Sequence, residues 1–133
     1  HSVNVYNRLN KMPEAEKYSN ETLAVVALLH DLCKANYYKI DFRNNKNANG
    51  AWEKVPYYTV DDTFPYGHGE KSVFLIERFM RLTNDEAMAI RAHMGGFDTG
   101  RDFISQIYDK CPLAVLLHIA DMEATYLDER KVI

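Results

Sequence analysis

Cysteine and long apolar runs are both scarce in this sequence. The two cysteines, Cys33 and Cys111, lie far apart and form no CxxC motif. That spacing argues against a disulfide framework and against a thiolate zinc site, and we expect two small buried side chains in a reducing compartment. No stretch reaches the roughly 18 apolar residues that a membrane span needs. The sequence therefore predicts a cytoplasmic protein without a membrane partner.

Basic charge in excess is also missing. The formal net charge is -3, which argues against non-specific binding of nucleic acid. There is no low-complexity tract, and 133 residues with 47% hydrophobic content suffice for one domain with a real core. Because the chain opens directly on a helical pattern, "HSVNVYNRLN", we expect residues 1–133 to be a single domain truncated at its N-terminus.

Helical periodicity dominates what is present. The apolar spacing and the capping signals predict a mainly α fold, with Asn20 as the N-cap of the second helix and Pro112 opening the last. A further apolar face, from Val73 to Leu82 and including Phe74 and Phe79, predicts a helix through about residue 81. The other predicted helices cover residues 2–11, 21–35, 84–94, 102–109 and 113–127.

One segment has a different character. "YYKIDFRNN" and "AWEKVPYYTV" are rich in aromatic and β-branched residues, and "KNANG" between them supplies turn chemistry. Residues 37–60 therefore predict a small β-hairpin inserted into a helical protein. Pro56 indicates an exposed edge strand, because proline cannot donate a ladder hydrogen bond.

Ionisable residues interrupt two of the most apolar predicted helices. His30 and Asp31 follow a run from Leu23 to Leu29 that contains no polar residue. His118 and Asp121 are three residues apart in "LAVLLHIADMEATYL", so they share one helix face.

Burying such groups without a partner costs several kcal/mol. Each histidine on its own is explained well by a hydrogen bond in the core. The doublet taken together with Asp121 favours a shared divalent ion instead, and imidazole with carboxylate suits Mn, Fe, Co, Ni or Zn. The sequence therefore predicts a transition-metal site of one or two ions.

The order of these residues resembles the HD-domain metal-dependent phosphohydrolases, whose pattern is an early His, a His-Asp doublet, intervening histidines and a late Asp. "HSVNVYNRL", "LLHDLCK", "YGHGEKS", "RAHMGG" and "HIADMEATYLDE" supply these positions across nearly the whole chain. The resemblance implies a compact helical HD-domain bundle. It also implies one ion held by His1, His30, Asp31 and Asp121, and a second held by the bridging Asp31 with His68 and His93.

Two further positions follow from the resemblance. Lys34 occupies the place of a lysine that faces substrate phosphate in catalytic members, which makes Asp31 and Lys34 the expected catalytic residues. His118 has no secure counterpart and is expected to ligate the second ion or to support a ligand.

The expected reaction is hydrolysis of a phosphate ester by water that the metal activates. Lys71 and Arg91 are candidates for neutralising phosphate oxygens, with a solvated helix face as the equally weighted alternative. Tyr66, Phe97 and Trp52 could stack on a base, which favours a nucleotide substrate, although simple hairpin packing explains Trp52 better.

Two rival functions stay open at this point. The hairpin mixes basic and aromatic residues, a combination that can stack single-stranded nucleic acid, although the acidic balance of the chain does not favour it. The other rival function is that of a scaffold built on a degenerate HD domain. This reading is disfavoured because the sequence retains the doublet, both middle histidines and the late Asp.

Overall fold

The structure is a computed structural model that describes residues 1–35, 38–60, 63–97 and 101–130. The predicted mainly α fold with one small hairpin is confirmed. The described residues form helices α1 (Ser2–Asn10), α2 (Asn20–Leu29), α3 (His68–Glu77), α4 (Asn84–Arg91), α5 (Arg101–Lys110) and α6 (Pro112–Glu123), and strands β1 (Tyr38–Lys46) and β2 (Trp52–Val60). None of these helices is long and apolar enough to cross a membrane.

The chain divides into two compact units. A helical unit comprises residues 1–33 and the chain from residue 66 onward, and a hairpin unit comprises residues 34–65. The largest fully buried apolar side chains of the described residues all belong to the helical unit, with Leu9, Ile90 and Leu117 among them. That unit therefore carries the hydrophobic core.

Helix α6 forms the centre of the helical unit. It packs against α1, α4 and α5, and Leu113 and Leu117 on it are completely buried. Burying a leucine stabilises the fold by about 1.5–3 kcal/mol, which explains why this helix is apolar on most of its circumference. Pro112 is its first residue, as predicted, since proline lacks only an N–H that the first turn would leave unbonded.

Helix α2 differs from its predicted extent of residues 21–35. Its N-cap is Ser19, whose hydroxyl accepts a hydrogen bond from the Thr22 N–H at 3.1 Å, and Asn20 is its first helical residue. The helix ends at Leu29 because the Ser72 side chain bonds to the backbone groups that would continue it. The Ser72 hydroxyl donates to the His30 carbonyl at 2.7 Å and accepts from the Cys33 N–H at 2.9 Å. The His30–Cys33 segment is thereby bent out of the helix and held in place.

The predicted helix through residue 81 is shorter than expected. Helix α3 ends at Glu77, and Phe79, which was assigned to its apolar face, is 86% exposed. The helix stops there because the Glu77 carboxylate accepts a hydrogen bond from the Leu82 N–H at 3.0 Å and closes a turn. At the other end, Gly69 touches the Arg91 backbone, and a Cβ at that position would overlap it, so the glycine allows α3 and α4 to approach closely.

Helix α4 begins after Thr83, as predicted, but it ends at Arg91, three residues before the predicted end at residue 94. Thr83 and Glu86 form a reciprocal capping box, in which each side chain accepts a hydrogen bond from the backbone N–H of the other. Gly95 follows the helix with a φ of +56°, a conformation that suits glycine.

The last helix departs from the predicted 113–127. Regular α-helix ends at Glu123 and is followed by a π turn over Ala124–Asp128, closed by the Glu129 N–H bonded to the Ala124 carbonyl at 3.0 Å. One extra residue per turn changes which side chains face α1. Asp128 pairs with Arg8, and Glu129 reaches His1.

The hairpin unit agrees with the predicted β segment. Strands β1 and β2 pair antiparallel from Tyr38 opposite Val60 to Lys46 opposite Trp52, and Tyr37 lies outside the described residues. Asn47 organises the turn, since its side-chain oxygen accepts from the N–H groups of Asn49 at 2.9 Å and Ala51 at 3.1 Å. Both strands of a two-stranded sheet are edges, which accommodates Pro56.

Candidate metal centre

Two histidines and two aspartates converge at one end of the helical unit. His1 precedes α1, His30 and Asp31 follow α2, and Asp121 lies on α6. The Nε2 atom of His1 lies 2.7 Å from Asp121 Oδ1, and the Nε2 atom of His30 lies 3.3 Å from Asp31 Oδ2. One donor atom from each of His1, His30 and Asp121 falls within 4.8 Å of the others.

The buried imidazoles of His30 and His93 are oriented by their own helices. In each case Nδ1 lies 2.7 Å from the carbonyl oxygen three residues earlier, that of Ala27 or of Ile90. A carbonyl only accepts, so Nδ1 must carry the proton and donate. The neutral ring then presents its Nε2 lone pair to the site, which is the arrangement of a metal-ligating histidine.

These two Nε2 atoms have no hydrogen-bond partner among the described residues. Both rings are at least 99% buried, so water does not solvate them. The nearest polar atoms are the Asp31 oxygens, at 3.3 Å from His30 and 3.4 Å from His93. Lone pairs of a neutral imidazole and a carboxylate repel at this separation unless a proton or a cation lies between them. The donor set therefore fits a metal ion.

Asp31 faces both groups of ligands with different oxygens. Its Oδ2 atom is the one near His30, and it lies 3.8 Å from His1 Nε2. Its Oδ1 atom is the one near His93. A carboxylate directed in this way can bridge two cations, which matches the role expected for Asp31.

His1 is held by a residue that sequence reasoning missed. Its Nδ1 atom lies 2.8 Å from Glu129 Oε2 while its Nε2 atom points at Asp121. A carboxylate that accepts the Nδ1 proton orients the other ring nitrogen towards a metal. The spacing of Glu129 from Asp121 carries no helical signal, because the π turn lies between them.

Two ionisable groups of the site, His30 and Asp121, have pKa values above their ordinary ones. Burial lowers the pKa of His30, but the Asp31 carboxylate and then Asp121 outweigh it and raise the pKa above 6.5. Burial raises the pKa of Asp121 above 3.8; the charge of His30 opposes this and that of Asp31 adds to it. The raised pKa of His30 reflects the negative charge of the two carboxylates, which a divalent ion would also offset.

A second group of donor atoms lies on the other side of Asp31. Ligand atoms of Asp31, Cys33 and His93 fall within 4.8 Å of one another. His68, at the first turn of α3, joins neither group directly, but its Nδ1 atom lies 3.5 Å from Cys33 Sγ. Cys33 is buried as predicted, but its position beside these donors was not foreseen, because a single cysteine carries no spacing signal.

His118 does not join either group of donor atoms. Its Nδ1 donates to the His93 carbonyl at 3.0 Å, and its ring covers Gly95. His118 thus contacts the His93 backbone, and its role as a ligand or as a support for a ligand stays a prediction.

The remaining predicted residues are dispersed. Lys34 is exposed and belongs to the hairpin unit. Lys71 is only 6% exposed, so the alternative that it lies on a solvated helix face is wrong. Arg91 is partly buried and pairs with Glu70 at 2.5 Å beside a groove of about 460 Å³ between α3 and α4. Tyr66 lines this groove and is half exposed. Phe97 and Trp52 are largely exposed.

No protein-family model matches the chain, and neither does any curated protein or solved structure. The resemblance to HD-domain phosphohydrolases stays a prediction, and the arrangement of donor atoms carries the functional conclusion.

Proposed function

We propose that the protein is a metal-dependent phosphohydrolase of the HD-domain type. The observation that carries the proposal is Asp31, which directs one oxygen at His30 and the other at His93 while the Nε2 atoms of both histidines lack a hydrogen-bond partner among the described residues. Buried lone pairs that converge on a carboxylate are unfavourable unless a proton or a cation lies between them, and we propose a cation because one Asp31 carboxylate faces two such nitrogens.

The donor set indicates which residues would hold ions. His1, His30 and Asp121 with one oxygen of Asp31 form the first position, and His93 with the other Asp31 oxygen forms the second. Nitrogen and oxygen donors suit Mn, Fe, Co, Ni or Zn. Glu129 fixes the ring of His1, and the carbonyls of Ala27 and Ile90 fix the other two rings.

A divalent ion held by these residues would lower the pKa of water in the site from about 15.7 to about 7 and would supply a nucleophile at neutral pH. Asp31 would accept a proton from that water, since its oxygens face both groups of ligands. The buried rings of His30 and His93 line the site, and their burial strengthens charge interactions there.

We propose a phosphate ester as the substrate, with a nucleotide favoured. Lys34 follows Cys33 directly in the chain, and its role as the phosphate contact rests on the resemblance. The half-exposed ring of Tyr66 and the largely exposed ring of Phe97 are available for stacking on a base. Arg91 is a weaker candidate for phosphate binding because its guanidinium is paired with Glu70.

Asp31→Ala tests the proposal directly. Wild-type protein purified without chelator should contain a transition metal by elemental analysis and should hydrolyse at least one member of a panel of mononucleotides, dinucleotides, cyclic dinucleotides and short oligonucleotides with Mn²⁺. The variant should lose the metal and the hydrolysis, since it removes the oxygens that face the two groups of ligands. Asp102→Ala, an exposed carboxylate on α5, is the matched control and should keep both.

A wild-type protein that binds no metal under these conditions would overturn the proposal. Hydrolysis that survives in Asp31→Ala would place the activity elsewhere in the molecule.

The hairpin supports a second candidate function, which is the binding of single-stranded nucleic acid. Trp52 is 69% exposed, and Lys46, opposite it in the register, lies with its ammonium 5.2 Å from the indole centre. Phe42 and Tyr58 are also exposed, and the register puts both on the same face of the sheet as Trp52. Exposed rings beside basic side chains can stack bases.

A further inference from the structure

We propose that Cys33 provides a sulfur ligand to the second metal position, so that the two positions of the centre differ in chemistry. The second position would then consist of one Asp31 oxygen, His93 Nε2 and Cys33 Sγ, with His68 at its rim. This inference rests on the proposed function, because it assumes that the centre binds metal.

The placement of the thiol is the first observation. Cys33 is 1% exposed, and its Sγ atom lies within 4.8 Å of donor atoms from both Asp31 and His93. Three ligand atoms of different residues at this separation can reach one cation together. The backbone of Cys33 is also anchored, since its N–H donates to the buried Ser72 hydroxyl at 2.9 Å. The sulfur is therefore held in position beside the other donors.

His93 is the second and independent observation. Its ring is 1% exposed, its Nε2 atom has no hydrogen-bond partner among the described residues, and that atom points at Asp31 3.4 Å away. A hydrogen bond between the Cys33 thiol and His68, whose atoms are 3.5 Å apart, would leave His93 unsatisfied. A cation shared by the three residues satisfies His93 as well.

The difference between the two positions has a chemical consequence. His1, His30 and Asp121 offer only nitrogen and oxygen, whereas the position at Cys33 adds a thiolate. Sulfur favours Zn, Fe or Co over Mn, and nitrogen with oxygen accepts all of them. We therefore expect a mixed centre, with the softer metal bound beside Cys33.

Cobalt(II) provides a readout that does not depend on activity. Protein stripped of metal and refilled with cobalt without oxygen should bind two ions and show sulfur-to-cobalt charge-transfer absorption in the near ultraviolet. The chain has only two cysteines, so Cys111→Ser assigns the band by elimination even if Cys33 variants fold poorly. Cys111 is equally buried, and its Sγ atom lies 3.5 Å from the Asp85 carbonyl, away from the centre.

The expected result is a band that persists in Cys111→Ser and disappears in Cys33→Ser. In Cys33→Ser, a zinc ion at the second position should bind at least about tenfold more weakly, which is the usual loss when supporting groups at metal sites are removed. A zinc ion at the first position should bind as in the wild type. Two bound cobalt ions without the band would overturn the role of Cys33 and leave the proposed function intact. Failure to bind cobalt at all would overturn both.

Discussion

At the scale of single residues, the clearest feature is how little freedom the buried histidines have. His30 and His93 each donate their Nδ1 hydrogen to a carbonyl three residues earlier, in the last turn of the helix that each follows, at 2.7 Å in both cases. That contact is local and depends only on a histidine placed at the end of a helix. This hydrogen bond fixes the direction of Nε2 in each ring. The two buried Nε2 lone pairs, which are otherwise unfavourable, are then available to a cation.

Gly95 provides a residue-scale prediction. Gly95→Ala should destabilise the protein by about 1–3 kcal/mol, because φ is +56° there and a Cβ would lie 2.5 Å from the His118 ring. His118 would have to move, and its hydrogen bond to the His93 carbonyl would weaken. Urea unfolding measures the loss of stability.

Gly96→Ala is the control for this change. A Cβ at Gly96 meets no heavy atom of the described residues within 4 Å, so the variant should stay within about 0.5 kcal/mol of wild type. Equal losses in the two variants would contradict the role assigned to Gly95.

At the scale of elements, two irregular ends build the centre. Ser72 of α3 ends α2 by bonding to His30 and Cys33, and the π turn after α6 brings Asp128 and Glu129 to α1. Neither is visible in a periodic pattern, since each depends on a hydrogen bond or a register change that interrupts a helix. His30 was predicted as a ligand, but the roles of Cys33, Asp128 and Glu129 were not, and neither were the contacts that position them.

The pair of Arg8 with Asp128 predicts a pH dependence. The hydrogen bond and the charge of Arg8, with a smaller effect of Lys11, hold the pKa of Asp128 below 3.8 against the opposing effect of burial. A lowered folded-state pKa means that the contribution of Asp128 is complete above pH 3.8 and is lost as pH falls through the lower folded-state value. Asp128→Asn should therefore be less stable than wild type at neutral pH, and the two should converge below pH 3.8.

Thermal unfolding across a pH series measures this convergence. Asp109→Asn removes an exposed carboxylate of α5 and should track the wild type at every pH. A constant difference between Asp128→Asn and wild type down to the lowest pH would contradict the assignment.

At the scale of the whole molecule, the helical unit contains both the core and every donor of the proposed centre. We expect truncation of the hairpin to leave both intact. Replacing residues 41–57 with Asn-Gly joins the paired Ile40 and Tyr58 through a two-residue turn. Metal content should be unchanged, and the free energy of unfolding should change by less than about 1 kcal/mol.

Leu117→Ala, in the buried face of α6, is the positive control and should lose about 2–5 kcal/mol of the free energy of unfolding.

The truncation of the hairpin also addresses the second function. If the protein binds single-stranded nucleic acid, a salt-dependent gel shift should be present in wild type and absent after truncation. Loss of metal from the truncated protein would show that the helical unit does not sustain the centre by itself.

Several features were determined by the sequence alone. The mainly α fold, the hairpin and the start of α6 at Pro112 all follow from local patterns, because periodicity and capping depend on residues a few positions apart. The order of His and Asp residues also named His1, His30 and His93, whose Nε2 atoms lie 3.8, 3.3 and 3.4 Å from Asp31 oxygens. It named His68 as well, which joins neither group of donor atoms.

Only the tertiary structure decided how those residues work together. Glu129, Ser72 and Cys33 acquire their roles through contacts across as many as 128 positions of the chain, which no local spacing encodes. The end of α2 at Leu29 and the π turn have the same cause, since a competing hydrogen bond or an extra residue outweighs helix propensity there. The sequence named most of the candidate donors, and packing of α1, α2, α3, α4 and α6 supplied the geometry that makes them a candidate metal centre.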